Sequence, residues 1–399
     1  MPATIRIRSP FRSKLQPPGG ALVYLFFLLL AGALIFQLLA LISLARFFSQ
    51  PLAPRPLPPN PGVTIFKPLK GLADNARECL ASFLTQDYQP YQVLFGVADP
   101  QDPVLTLLHE LQRDFPGPEV EIVFCQEKLG LNPKISTLRQ LESRARHEIL
   151  VLADGDVKVG ADFLSVMVAA LREPGVGVVS LPYRAGRART LGAWLEALTI
   201  SADFIPSVAV AYYAEGVRFA LGATMALTRD TLKAIGGLAA LADFLADDYQ
   251  LGYRAVQAGF KVKLLPYVVE TENPEISLPD YLGHQLRWAR TYRVCRPKGY
   301  LAYGIAHALV YSLLLWLASG MAPYALGLVG ATLAVRGTLT WFAERSCLKG
   351  ELPWPAFMLL PLKDLLAFGL WLLSFLGNQV TWQGARYRVT PTGKLEPVL

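Results

Sequence analysis

From Ala21 to Ala45 the chain carries no charged residue. A helix needs roughly 20 apolar residues to cross a bilayer. Inside hydrocarbon every backbone N–H and C=O must pair within its own segment, so such a run folds as a helix. A cleaved signal peptide is the competing reading, but its apolar core usually has roughly 7–15 residues. The expectation is a polar tail over 1–20 and a transmembrane helix over 21–47. Arg6, Arg8, Arg12 and Lys14 precede the run, and Arg46, Arg55, Lys67 and Lys70 follow it. That balance leaves the direction open under the positive-inside rule. The prolines between Pro51 and Pro61 predict a stiff linker over 48–61.

The rest of the composition points the same way. Of 399 residues, 53% are hydrophobic and 17% charged, against about a quarter charged in soluble domains. The missing charge is concentrated at the two ends. Tyr300–Thr340 is apolar and broken at Gly320-Met321-Ala322-Pro323, which predicts two spans joined by a hairpin. Ala356–Leu376 would be a third, although Pro361, Lys363 and Asp364 inside it suit a re-entrant or shielded helix. These form a membrane block over 300–380, followed by a basic tail over 381–399 with Arg386, Arg388 and Lys394. The net charge of +7 is placed beside the hydrophobic segments, where it meets anionic headgroups or sets topology. No basic helix or aromatic RNA-binding motif accompanies it, so nucleic acid is not an expected partner. The four cysteines, Cys79, Cys125, Cys295 and Cys347, show neither metal nor disulfide spacing and read as free thiols. With four histidines in the chain, a histidine-based metal site is not expected.

Between 62 and 299, strand-like and helix-like stretches alternate. Val63–Phe66, Tyr91–Val97, Val120–Phe124 and Glu148–Ala153 read as strands, with helices at Asn75–Thr85, Val104–Phe115 and Ser136–Ala145 between them. This is the pattern of βαβ units and a parallel sheet. The run Glu148–Ala153 stops at Asp154-Gly155-Asp156. In an open α/β sheet, ligands sit beyond the carboxyl ends of the strands, and residues i and i+2 of an extended segment face alike. Two carboxylates there suit a hard divalent cation, Mg²⁺ or Mn²⁺, which takes carboxylates plus substrate phosphates. A solvated Asp-Gly turn explains the spacing equally well. The context favours a site: Tyr91–Val97 also ends near an acid, Asp99, and Asp247-Asp248 opens a helix downstream. Acids in a first helical turn are independently favoured by the helix dipole.

After these acids comes His284-Gln285-Leu286-Arg287-Trp288. The ordered set resembles the D, DxD, D, (Q/R)xxRW series of family-2-type glycosyltransferases. It is most similar to ceramide glucosyltransferase and its bacterial relatives, including hopanoid glycosyltransferases. The resemblance extends to FKPLKG (66–71), NPKISTL (132–138), LADDYQLG (245–252), RWAR (287–290) and GARYRV (384–389), nearly the whole chain. It implies a GT-A-type, Rossmann-like α/β domain over 62–299, with one amino-terminal and about three carboxyl-terminal transmembrane or re-entrant helices. It also implies residue roles. Asp99 would hold the uridine of a UDP-sugar, and Asp154 and Asp156 the metal. Asp248 would be the general base of an inverting transfer, its pKa raised by Asp247 and partial burial, with Asp247 in support. Arg287 would grip the diphosphate and Trp288 give an aromatic platform; a snorkelling arginine is the competing reading. The sequence departs from the pattern where His284 takes the (Q/R) position and Gln285 follows. Lys134 is a further diphosphate candidate, or an ordinary loop lysine.

The expected function is transfer of a hexose, glucose favoured, from a UDP-sugar to a membrane-lipid hydroxyl. The protein would be multi-pass, with its catalytic domain toward the cytosol. The rivals are N-acetylglucosamine transfer to a hopanoid, a processive polysaccharide synthase and a non-catalytic membrane scaffold.

Overall fold

The computed structural model describes residues 20–52, 59–272, 275–382 and 384–398. The expected tail over 1–20, apart from its last residue, and positions 53–58 of the linker lie outside them. A seven-stranded sheet forms the centre of the α/β region, in the order β3-β2-β1-β4-β8-β6-β9. Its strands are β1 (Val63–Leu69), β2 (Tyr91–Val97), β3 (Glu119–Phe124), β4 (Ile149–Ala153), β6 (Val176–Ser180), β8 (Thr224–Thr228) and β9 (Lys261–Leu264). A small sheet, β5-β10-β7, joins β5 (Val157–Lys158), β10 (Val269–Thr271) and β7 (Tyr183–Ala185).

The parallel arrangement expected from the alternation holds for β3-β2-β1-β4, whereas β8 runs antiparallel to both β4 and β6. The inner strands are buried on both faces, as their continuous Val/Ile/Leu/Phe runs require. Because β1, β2 and β4 are parallel, their carboxyl ends open on one rim, and that rim carries Asp99 and Asp154–Asp156. β1 continues through Lys67-Pro68 to Leu69, past Phe66 where the strand was expected to end. Its ladder with β4 stops at Phe66↔Leu152 while that with β2 runs to Leu69↔Val97. Pro68, which has no N–H, therefore sits where β1 has only one neighbour.

Gly20–Phe48 and Pro323–Cys347 are each long and apolar enough to cross a membrane, and the pair Pro297–Ala306 and Ala308–Ala318, bent by 55°, passes as a broken span. Gly20–Phe48, Ala308–Ala318 and Pro323–Trp341 pack together through Leu30, Ala33, Tyr311, Leu315 and Ala325. The third expected carboxyl-terminal segment is interrupted into Trp354–Phe357 and Leu360–Ser374. The latter is 15 residues long, roughly 22 Å against about 30 Å of hydrocarbon. Leu191–Glu215 also passes by length and apolarity. It leaves from β7 and returns to β8, so both its ends stay with the α/β domain.

Charged side chains inside this block neutralise one another. Arg336 donates to both Asp364 oxygens (3.0 and 2.6 Å), to Asp203 (2.9 Å), to the Ala202 carbonyl (2.9 Å) and to Gln37 (3.3 Å). Lys363, fully buried, contacts Asp203 at 2.5 Å and Asp364 at 2.8 Å. Two cations and two anions thus tie Gly20–Phe48, Leu191–Glu215, Pro323–Cys347 and Leu360–Ser374 together, which explains how Lys363 and Asp364 are tolerated in an apolar segment.

The carboxyl-terminal stretch forms a three-stranded antiparallel sheet, β11 (Gln379–Trp382), β12 (Ala385–Val389) and β13 (Leu395–Pro397). The Leu395 N–H donates to the Asp243 carbonyl (2.7 Å) and the Leu245 N–H to the Gly393 carbonyl (3.4 Å). The sheet is therefore on the same side as the α/β domain, and an even number of crossings separates residue 295 from residue 377. Counting the bent pair over 297–318 and Pro323–Cys347 as two crossings leaves none for Leu360–Ser374. Introduced cysteines at Met321 and Glu396 are expected to be labelled by a membrane-impermeant maleimide from opposite faces of sealed vesicles; labelling from one face would refute this parity. Replacing Arg336 by Met leaves Lys363 alone against Asp203 and Asp364, with one buried negative charge uncompensated, and should cost about 3–5 kcal/mol, read as a lowered unfolding temperature in detergent.

Candidate active site

β4 ends in Ala153, and the next three residues turn across the end of β1. An added Cβ on Gly155 would lie 3.0 Å from Leu69 and 3.4 Å from the Pro68 carbonyl, so a side chain there would crowd β1. Lys67, fully buried, holds this turn from below. Its ammonium donates to the Asp154 carbonyl and to the Val157 carbonyl at 3.5 Å, and lies 4.0 Å over the Phe83 ring. Burial lowers its pKa to about 8, against the opposing pull of Asp156.

A second lysine joins the motifs. Asn132 is buried and caps the following helix by accepting from the Ile135 N–H at 3.1 Å. Pro133 takes the first helical position, and Lys134 then projects between two acids: 2.5 Å from Asp154 and 3.6 Å from Asp247. It also donates to the Gly222 carbonyl at 3.3 Å. Burial opposes its charge, but Asp154 and Asp247 outweigh burial and raise its pKa. Asn132 further donates to Asp247 (3.3 Å) and to the Phe244 carbonyl (2.9 Å).

Asp248 follows, half-buried against Gly222, and accepts the Tyr249 N–H at 2.7 Å. Burial and then Asp247 push its carboxyl up to about 7, with Lys134 opposing. Asp154 rises to about 6 and Asp156 also rises, burial leading in both. Asp156 is nonetheless exposed and the Asp154 side chain 36% accessible, so both carboxylates are open to solvent although protein is dense around them. Four carboxylates face two ammonium groups here, and the buried Asp247 Oδ2 has no hydrogen-bond partner. That surplus of anionic oxygen fits a divalent cation. Among the described residues no third acid, histidine or cysteine completes a protein cage with Asp154 and Asp156, and Mg²⁺ or Mn²⁺ held by one or two carboxylates plus substrate phosphates needs none.

The helix Leu278–Cys295 brings up the HQLRW residues. Trp288 packs edge-on to His284 (4.5 Å between ring centroids), with Phe204 at 5.9 Å and Tyr292 at 6.3 Å. Tyr183 lies 5.1 Å from Phe204 and extends this aromatic wall; burial raises its pKa, with Tyr292, Glu196, Asp248 and Asp154 all near enough to add to the rise. His284 Nδ1 is 3.0 Å from Glu196, and Gln285 donates to the same carboxylate at 2.9 Å. Burial lowers the Arg287 pKa, and among the described residues its guanidinium makes no ion pair. Its neighbours are committed elsewhere: Arg290 to the Gln379 carbonyl, Arg293 to the Gly377 carbonyl (2.7 Å) and Arg296 to Glu215.

The structure thus gathers Asp154, Asp156, Lys134, Asp247 and Asp248, and sets His284, Gln285, Arg287 and Trp288 on one adjoining helix. Asp99 stands apart. It is exposed, its carboxylate accepts the Gln101 N–H at 2.9 Å, and among the described residues no hydrogen bond or ion pair joins it to the other acids. It shares their rim, two strand spacings or about 10 Å across the sheet.

Three contributors carried no signal in the sequence reading. In the sequence Lys67 counts only as one of the basic residues after the apolar run, and Glu196 is a single charge in an otherwise apolar stretch. The carboxyl-terminal sheet buries Val380, Val389 and Leu395 on Leu245, with Leu131 and Val294 against them. It therefore clamps the segments bearing Lys134, Asp248 and Arg287. The sequence showed it only as a basic tail over 381–399 and, through GARYRV, as part of a resemblance; the structure makes it a sheet.

The fold, a mixed sheet with its acidic motif at the parallel strand ends, is that of GT-A-type glycosyltransferases. It is similar to the mannosyltransferase PcManGT from Pyrobaculum calidifontis, solved in complex with GDP-Man and Mn²⁺: the TM-score is 0.54 at 20% identity, covering 89% of this chain and 99% of that one. Residues 25–395 match the model of glycosyl transferase family 21, and the chain belongs to that family. Among curated relatives, ceramide glucosyltransferase 1 of Caenorhabditis elegans is 23% identical over 66% of this chain and 57% of its own length. The ceramide glucosyltransferase of Komagataella phaffii is 30% identical over 34% and 28%. The chain spans about half the length of the C. elegans relatives it matches.

Lys134→Met is expected to remove the cation that opposes the raised carboxyls of Asp154 and Asp248, so both resist ionisation still more than in the unfolded chain. The variant's stability deficit should then widen as pH rises from about 4 to 8. Denaturant unfolding across that range checks it; a deficit independent of pH would contradict the electrostatic role.

Proposed function

We propose that this chain transfers a hexose, glucose favoured, from a UDP-sugar to a hydroxyl of a membrane lipid, with inversion at the anomeric carbon. Family membership and the ceramide glucosyltransferase relatives support glycolipid synthesis as the setting. The observation that carries the mechanism is Asp248, held near neutral pH in the same charged group as Asp154.

Asp248 takes the proton of the acceptor hydroxyl as its oxygen bonds to the anomeric carbon, while the bond from that carbon to the UDP oxygen breaks. A base near pKa 7 is about half ionised at neutral pH and still basic enough to accept that proton. Asp247 sustains this by repelling a second charge, and Lys134 opposes the rise. Asp154 and Asp156 would hold Mg²⁺ or Mn²⁺, which would offset the negative charge gathering on the departing diphosphate. Arg287, with no ion pair among the described residues, would grip that diphosphate, with Lys134 on Asp154 as a second cation for it. His284 and Trp288 border the donor sugar, Gln285 supports them, and Asp99 at the rim receives the uridine. The helices Leu191–Glu215 and Leu360–Ser374, apolar yet not crossing, suit a bilayer surface from which a lipid hydroxyl reaches Asp248. UDP-sugars are cytosolic, so the domain faces the cytosol. Two candidate carboxyl-terminal spans are few for a polymer tunnel, which favours a single transfer over processive synthesis.

Expression in a lipid-rich host followed by lipid mass spectrometry should reveal a new hexosyl lipid; no new glycolipid, or a polymer, would refute the proposal. Asp248→Asn should lower transfer by roughly 10²–10⁴-fold while UDP-sugar binding changes only a few-fold. Since burial and Asp247 favour the protonated acid, kcat/KM should fall as pH drops through about 7, and this acid limb should vanish in Asp248→Asn.

A further inference from the structure

We infer that Glu196 is a positioning residue for the donor site: one buried carboxylate that fixes the side chains of the HQLRW segment. This rests on the reading of that segment as the diphosphate and sugar contact.

Glu196 sits in the first part of Leu191–Glu215, on the element that leaves and rejoins the α/β domain beside the membrane block. It is 8% exposed. A buried carboxylate is costly unless its oxygens find partners. Oε2 accepts from the Gln285 amide at 2.9 Å, and Oε1 lies 3.0 Å from His284 Nδ1. Glu196 also lies near enough to Arg287 to favour its charged form against the burial that opposes it.

The consequence for His284 is geometric. The Glu196 carboxylate lies against the Nδ1 edge of the ring and turns that edge toward position 196. This orientation leaves Nε2 for another partner, and His284 is close enough to Asp156 to lower that residue's pKa, although burial raises it further. The same ring supports Trp288 edge-on at 4.5 Å, and Trp288 continues through Phe204 to Tyr183. Losing Glu196 would free His284 and Gln285 together and remove the support of Trp288. This also accounts for the departure of this chain from (Q/R)xxRW. With an acid at 196, a histidine at 284 and a glutamine at 285 can both be held by one partner.

The test uses the full chain in detergent, with diethyl pyrocarbonate as the histidine probe and UDP with Mn²⁺ as the nucleotide probe. In Glu196→Ala, carbethoxylation of His284, followed by mass spectrometry, should accelerate several-fold while His109 and His147 react as before. UDP binding should weaken roughly tenfold, and adding His284→Ala should cost little more. Glu196→Asp should recover part of both effects. An unchanged His284 rate, unchanged UDP affinity with a faster His284, or fully additive losses would each overturn the inference. If His109 and His147 also accelerate, the alanine variant has lost its fold, and Glu196→Gln, which keeps the volume, carries the same comparison. If the unmodified protein binds no UDP, the proposed donor fails, and the His284 rate still decides whether Glu196 holds that ring.

Discussion

The Lys134 ammonium, lodged between Asp154 and Asp247, is the interaction on which the site depends. Four carboxylates brought together by separate elements would repel one another and resist ionisation. One cation near two of them, with Lys67 beneath the turn, lets the group stay charged without a bound metal. Compensation is incomplete, as the raised carboxyls of Asp154 and Asp248 show. A site left anionic in this way is prepared for a divalent cation and poised for proton transfer. The same lysine joins the strand-end motif to the helix opened by Asp247, so the two acidic motifs form one electrostatic unit.

That unit is fastened to the membrane block by packing and by buried charge. The π-helical turn Ile200–Phe204 in Leu191–Glu215 carries Asp203, which enters the network with Arg336, Lys363 and Asp364, and the next residue, Phe204, packs on Tyr183 and Trp288. One turn of helix thus faces the ion cluster on one side and the aromatic wall of the site on the other. The carboxyl-terminal sheet adds a second fastening. Its hydrogen bonds to Asp243 and Leu245 lie a few residues before Asp248, and Arg290 and Arg293 attach the HQLRW helix to its edge. The arginines that could have been membrane anchors are instead joined to backbone carbonyls and Glu215.

The sequence was most readable where one element's own pattern decides its fate. Tyr91–Val97 was bounded as observed because an apolar run between turn residues has few alternatives, and Val63–Phe66 was placed but stopped short, since Lys67-Pro68 looks like a turn until β2 is seen beside it. The antiparallel course of β8 depends on how Leu191–Glu215 returns to the sheet. The spacing of the acids, and the segment ending in Arg287-Trp288, led to the family through their order along the chain. Glu196 could not be found in this way, because its partners are 88 and 89 positions further along and only helix packing makes them neighbours.

By itself the sequence determined the apolar anchor, the α/β alternation, the acidic ends of its segments and the family those motifs define, since each follows from local hydrophobic period, turn chemistry and residue order. Tertiary structure alone decided that Lys134 lies between Asp154 and Asp247, that Lys363 and Asp364 find Arg336 and Asp203, that Leu360–Ser374 has no crossing left to make, and that the carboxyl-terminal stretch is a sheet closing on Asp243–Leu245. The reason is physical. Charge pairing and burial depend on distances between segments far apart in the chain, and those distances exist only once the sheet and helices have packed.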